Sequence, residues 1–111
     1  MRKVKGDTST MTKDVKNNAV DALMKAILCL RTEEECHQFF EDICTIKEVS
    51  AIAQRFEVAH MLREERTYID IAKETGASTA TISRVNRSLN YGNNSYDMLF
   101  ARMEELEQNK D

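Results

Sequence analysis

The sequence predicts an all-α fold of about six helices that includes a helix-turn-helix, and three observations carry that expectation. The 111 residues contain no proline and three glycines, where average usage would supply about five or six prolines, so the chain has few places to turn sharply. Apolar residues recur at helical spacing along most of the chain, and almost no stretch alternates apolar and polar as a half-buried strand does. Ser and Thr stand repeatedly just ahead of those periodic runs, where a hydroxyl can accept from an unpaired backbone N–H and start a helix.

Each element follows from its own residues. Residues 1–16 carry five basic and two acidic groups and little apolar surface, and read as a flexible basic arm. From Asn17 the residues Val20, Leu23, Met24, Ile27 and Leu28 form one face of a first helix that ends near Arg31. Thr32 followed by Glu35 is a capping box and opens a second helix, whose inner face would hold Cys36, Phe39, Phe40 and Ile43. Thr45 and Glu48 repeat the box ahead of a longer helix with the stripe Ile46, Val49, Ile52, Ala53, Phe56 and Ala59, stopping around Arg63 to Arg66.

Thr67 caps a short fourth helix that Gly76 ends in the left-handed conformation, and Ser78 caps a fifth helix running to about Asn90. Tyr91-Gly92-Asn93-Asn94 reads as a turn because Gly and Asn tolerate positive φ. A last helix with Leu99, Met103 and Leu106 runs into the acidic tail 104–111. The expected organisation is therefore an arm over 1–16 and one helical domain over 17–111, with the helix-turn-helix at 67–90.

Composition narrows the function classes. With 41% apolar and 32% charged residues the chain reads as one globular domain. It lacks the roughly 18-residue apolar run that crosses a bilayer and an apolar leader at its start, so the expectation is a cytoplasmic protein with no membrane partner. Cys29, Cys36 and Cys44 form no C-x-x-C pair, which suits reduced thiols. Cys36-His37 with Cys44 lacks the paired ligand spacing of structural zinc, so the cysteines read as small buried residues, the histidines as solvated, and no metal is expected. No motif sets a nucleophile beside a base and no Gly-rich loop cradles a phosphate. No enzyme activity and no cofactor are expected.

The formal net charge of −3 says nothing in favour of nucleic acid, so the argument rests on where the charges sit. Residues 31–48 carry two basic and six acidic groups, whereas residues 78–96 carry Arg84 and Arg87 and no acid. Residues 68–85 have the pattern a helix-turn-helix needs: Ala72 is small at the helix crossing, Gly76 takes the turn, and Ile71, Ile82 and Val85 share a core. At about 100° per residue, burying Ile82, Val85 and Leu89 turns Ala80, Ser83, Arg84 and Arg87 outward. Small side chains at the start of that face let the backbone approach base edges, while the arginines and the helix N-terminus favour phosphates. The candidate DNA-binding residues are Thr67, Tyr68, Ser78, Thr79, Ala80, Thr81, Ser83, Arg84 and Arg87.

The run Gly76 to Arg84, with Ala53-Gln54-Arg55 and Met61-Leu62-Arg63 ahead of it, resembles the Trp repressor superfamily. Cys44-Thr45, Ala53 to Ala59 and Leu89-Asn90-Tyr91-Gly92-Asn93 look most like its YerC/YecD branch. The resemblance spans Leu23 to Glu105 and implies an intertwined homodimer that binds double-stranded operator DNA with two helix-turn-helix heads. It also implies a small-ligand pocket at Thr45, Arg55, Arg84, Val85 and Ser88, where the repressor holds an indole between two arginines. The repressor has a glycine where this chain has Val85, and the stretch between Arg55 and Arg63 is one residue shorter. A branched side chain in that slot argues against tryptophan as co-repressor and leaves open whether a smaller effector fits. The expected function is a sequence-specific transcriptional regulator, a repressor, acting as a homodimer. The alternative is a helical protein-interaction module without autonomous DNA binding.

Overall fold

The computed structural model describes residues 8–109, with side chains over 17–109. Six helices and no strand occur among the described residues: α1 (Thr8–Ile27), α2 (Glu33–Ile43), α3 (Ile46–Arg63), α4 (Tyr68–Thr75), α5 (Thr79–Tyr91) and α6 (Ser95–Gln108). The fold is all-α, as expected. The first helix departs from expectation, because it begins at Thr8 and takes in residues 8–16 that read as an arm; residues 1–7 lie outside the described residues. No Gly or Pro stands between Gly6 and the apolar face, and extending a helix costs far less than nucleating one.

The chain divides into two compact units, Met1–Ile43 and Cys44–Asp111. In the first unit, the Thr32 hydroxyl accepts from the Glu35 N–H at 3.0 Å and opens α2 as expected. The Glu35 carboxylate returns its bond to the Arg31 N–H at 2.9 Å, one residue upstream of the expected partner. The apolar faces of this unit are left open. No residue of α2 is buried, Phe39 and Phe40 are half-buried against each other edge to face, and Val20, Met24, Leu28 and Ile43 are exposed. Cys29 and Cys36 are exposed and Cys44 is half-buried, so the expectation of buried cysteines fails for the same reason.

The second unit owns the core. Val58, Ala59 and Met61 of α3, Ile71 of α4, Ala77, and Ile82, Val85 and Leu89 of α5 are buried together, with Leu62, Ala72, Tyr96 and Phe100 packed against them. On α3 the stripe continues past its expected end: Val58, Met61 and Leu62 lie at i, i+3 and i+4 and meet α4 and α5, while Ile46 and Ile52 stay exposed. Three caps were legible in advance. Thr45 and Glu48 close a reciprocal capping box (2.8 and 3.1 Å), and Thr67 and Ser78 each accept from the N–H three residues on.

One turn differs in detail from expectation. Gly92 has φ −90° rather than a positive φ, and it is Asn94 that adopts +63°. Gly92 is needed for closeness instead, since a Cβ there would lie 2.4 Å from the Ser88 carbonyl oxygen. Between α3 and α4, Glu65 sits at φ +63° while its N–H and that of Arg66 donate to Leu62 and Met61 carbonyls (3.0 and 3.1 Å). This is a Schellman end with glutamate where glycine costs least. Glu65→Gly is therefore expected to stabilise the fold by about 0.5–1 kcal/mol, read as a higher urea midpoint at fixed protein concentration; a lower midpoint would show that the glutamate side chain contributes more than its backbone costs.

Candidate nucleic-acid interface

The helix-turn-helix is α4, the turn at Gly76, and α5. Gly76 adopts φ +76° and its N–H donates to the Ala72 carbonyl at 2.9 Å, which stops α4 within one residue. Thr75 braces the same turn, donating its hydroxyl to the Ile71 carbonyl (2.7 Å) and accepting from the Ala77 N–H (3.1 Å). Ile71 and Ile82 are fully buried and Val85 is 2% exposed, so both helices are seated by one shared core. Two residues that the motif did not single out tie this pair to α3. Gln54 donates to the Thr75 carbonyl at 3.0 Å, satisfying a carbonyl that the end of α4 leaves without a helical partner. Arg66 pairs with Glu74 and reaches Glu64 at 3.9 Å, linking the α3–α4 turn to α4. Only a polar residue beside an apolar stripe hinted at Gln54.

With α5 seated on Ile82, Val85 and Leu89, its other side presents Thr79, Ala80, Arg84 and Arg87 to solvent, with Ser83 half-buried at the edge. The nine candidate residues separate into two groups. Thr67, Ser78 and Thr81 spend their polar atoms locally: Thr67 and Ser78 cap α4 and α5, and the Ser78 and Thr81 hydroxyls bond each other at 3.1 Å. Thr79, Ala80, Ser83, Arg84, Arg87 and the exposed Tyr68 have no such engagement. Arg84 and Arg87 have no ion-pair or hydrogen-bond partner among the described residues, whereas Arg63 and Arg66 are both held by carboxylates. Tyr91, 85% exposed one turn beyond Arg87, extends the face and was read only as a turn residue.

At the far end of α5, three helices meet on one guanidinium. Arg63 donates through Nε and Nη2 to the two carboxylate oxygens of Asp97, each at 2.9 Å, and through Nη2 to the Leu89 carbonyl at 3.2 Å. Hydrogen bonding and charge from Arg63 hold the Asp97 carboxyl below the usual carboxylate range against a smaller desolvation effect. Because the folded-state value is depressed, this pair contributes fully above the ordinary aspartate value of about 3.9. Its contribution fades only as pH falls through the lower folded value.

The residues of the expected ligand pocket have different local settings. The Thr45 hydroxyl is occupied as the α3 cap, Arg55, Arg84 and Ser88 are exposed, and Val85 is a core residue of the helix-turn-helix. A cleft of about 720 Å³ lies elsewhere, between α3 and α6, lined by Ala53, Phe56, His60, Phe100 and Met103 with Glu57, Glu104 and Glu107. None of the five expected pocket residues lines it.

Comparison with known proteins agrees with this architecture. The family model described as Trp repressor protein matches residues 18–104. The chain belongs to the Trp repressor family. Within it, the chain is 55% identical over 93 residues to the uncharacterized protein YerC of Bacillus subtilis (strain 168), covering 84% of this chain and 89% of that one. The crystal structure of a TrpR like protein from Eubacterium eligens ATCC 27750 superposes with a TM-score of 0.78 at 61% identity, covering 83% of this chain and 95% of that one. A second crystal structure, from Staphylococcus aureus, gives a TM-score of 0.77 at 49% identity over 83% of this chain and 92% of that one. The Trp repressor family is one of DNA-binding regulators, so the fold is a regulator's rather than an enzyme's. No helix among the described residues is long and apolar enough to cross a membrane.

Proposed function

We propose that this protein is a homodimeric, sequence-specific transcriptional repressor of the cytoplasm that reads double-stranded operator DNA with α5. The observation that carries the reading is the outward face of α5. Two arginines without partners among the described residues and a small first turn stand on a helix whose opposite face is locked into the core. Unpaired guanidinium groups are available to phosphates, and the Thr79 to Ser83 turn can enter a major groove closely. The dimer is supported by what the chain leaves uncovered. Val20, Met24 and Leu28 on α1 and, separately, Leu99, Met103 and Leu106 on α6 are exposed at helical spacing, and an isologous partner is the commonest way to bury such faces.

Tryptophan has no role in this reading. The Val85 side chain fills core volume with Ile82 and Leu89, so the reader helix is seated without a ligand, and DNA binding is constitutive with respect to tryptophan. One set of measurements tests the whole reading. Sedimentation at micromolar concentration should give a dimer. Retardation of duplexes selected from random fragments should weaken steeply between two salt concentrations and be indifferent to added tryptophan. A folded monomer, no duplex selected, or affinity raised about tenfold by tryptophan, ~1.4 kcal/mol, would each sink the corresponding part.

A further inference from the structure

The α5–α6 junction holds a feature that DNA reading alone does not require. The last four carbonyls of a helix have no helical partner; at the end of α5 the Ser88 carbonyl is taken by the Gly92 N–H and the Leu89 carbonyl by Arg63. The same guanidinium grips Asp97 with two parallel bonds of 2.9 Å. Leu89 is itself a core residue, and Asp97 lies in the first turn of α6. Both charges suit their places, a cation at the C-terminus of α5 and an anion at the N-terminus of α6. The junction between them is short and tight: Gly92 leaves no room for a Cβ, Asn94 is left-handed, and Asn94 gives α6 no side-chain cap. Phe56, Tyr96 and Phe100 pack as an aromatic group between α3 and α6. That packing is non-directional, whereas a planar fork with three hydrogen bonds to two helices fixes an angle.

We propose that Arg63 is a positioning residue for operator recognition: it locks the end of the reader helix to α6 and thereby sets the separation of the two reader helices in the dimer. The inference rests on the reading of α5 as the DNA reader and of the exposed α6 face as part of the interface with a second copy. Through that face, the angle between α5 and α6 becomes a distance between reader helices. Half-sites are read about one helical turn of DNA apart, ~34 Å, so a small change in that angle misplaces one reader when the other is docked. The lock acts on register and leaves the phosphate-contacting groups untouched.

Arg63→Lys keeps the charge and loses the fork; Asp97→Asn keeps the shape and loses the ion pair. Both are made in the full chain and measured on duplexes selected with the wild-type protein, on the same duplexes with the half-site spacing lengthened or shortened by about one base pair, and on random-sequence duplex. Each variant should lose about tenfold or more on the selected duplex, the scale of a mispositioned base contact. Each should tolerate altered spacing better than wild type and keep its affinity and salt dependence on random duplex. The double variant should be no worse than the poorer single one, as expected of two residues acting through one link. A merely structural role would lower the melting temperature and leave the spacing preference as it is. Wild-type spacing preference in a folded Arg63→Lys or a folded Asp97→Asn overturns the lock. Failure of the wild-type protein to select any duplex overturns the DNA reading, and this inference with it.

Discussion

Ala80→Glu is expected to abolish operator binding while leaving the fold intact. Ala80 is exposed in the first turn of α5, on the side opposite Ile82 and Val85. A glutamate there sets a negative charge against the phosphate backbone and adds bulk where the helix must approach base edges. Like charges juxtaposed at an interface cost several kcal/mol, so affinity should fall by about a hundredfold or more, ~3 kcal/mol. Circular dichroism should be unchanged, because the side chain touches no core residue. Arg87→Ala supplies the contrast. Removing a surface arginine that has no partner among the described residues should weaken selected and random duplexes alike. It should also flatten the log-log salt dependence by about one unit for each protomer. Unchanged DNA affinity in both folded variants would favour a protein-interaction module over a DNA reader.

Ile82→Ala is expected to produce the largest loss of stability. Ile82 is fully buried among Ile71, Val85 and the α3 residues Val58 and Met61, in a unit whose buried core numbers eight residues. Truncating a packed isoleucine removes its transfer free energy and leaves a cavity, together about 2–5 kcal/mol, a large share of the roughly 5–15 kcal/mol that holds a domain folded. Melting followed by calorimetry should drop by about 10 °C or more at constant concentration. A loss below about 1 kcal/mol would mean that α4 and α5 close over the gap, and that the shared core does not set their angle. Leu99→Ala makes a useful comparison: Leu99 is exposed within one chain, so any cost it shows should depend on protein concentration, as burial against a second copy requires.

The helix-turn-helix was legible because its signals are local. Thr67, Gly76 and Ser78 act on backbone groups within about four residues of themselves, and each does in the structure what its residue type demands. Periodicity located the faces of α4 and α5 for the same reason, since a face that must be buried against the adjacent helix repeats with the helix. Periodicity was less informative on α3 and α6. An apolar stripe has the same spacing whether its own chain covers it or another molecule does, so Ile46 and Ile52 stand in the expected α3 stripe and are exposed, while Val58 and Met61 complete the core. Within the candidate site, residue type alone could not separate a hydroxyl that caps from one that is free, and so Ser78 and Thr81 were grouped with Thr79 and Ser83.

What the sequence determined by itself is therefore the class of fold, the order and ends of its helices from Thr32 onward, the turn at Gly76 and the acid-free outward face of α5. All of these follow from interactions between residues a few positions apart. Only the tertiary structure decided that Val58 and Met61 complete the core, that Gln54 closes the end of α4, and that Arg63 joins Leu89 to Asp97 across 26 and 34 residues of chain. Such links depend on where three helix ends come together, and a linear pattern carries no term for that: an arginine destined for a carbonyl and a carboxylate on two distant helices has the same neighbours in sequence as one destined for water.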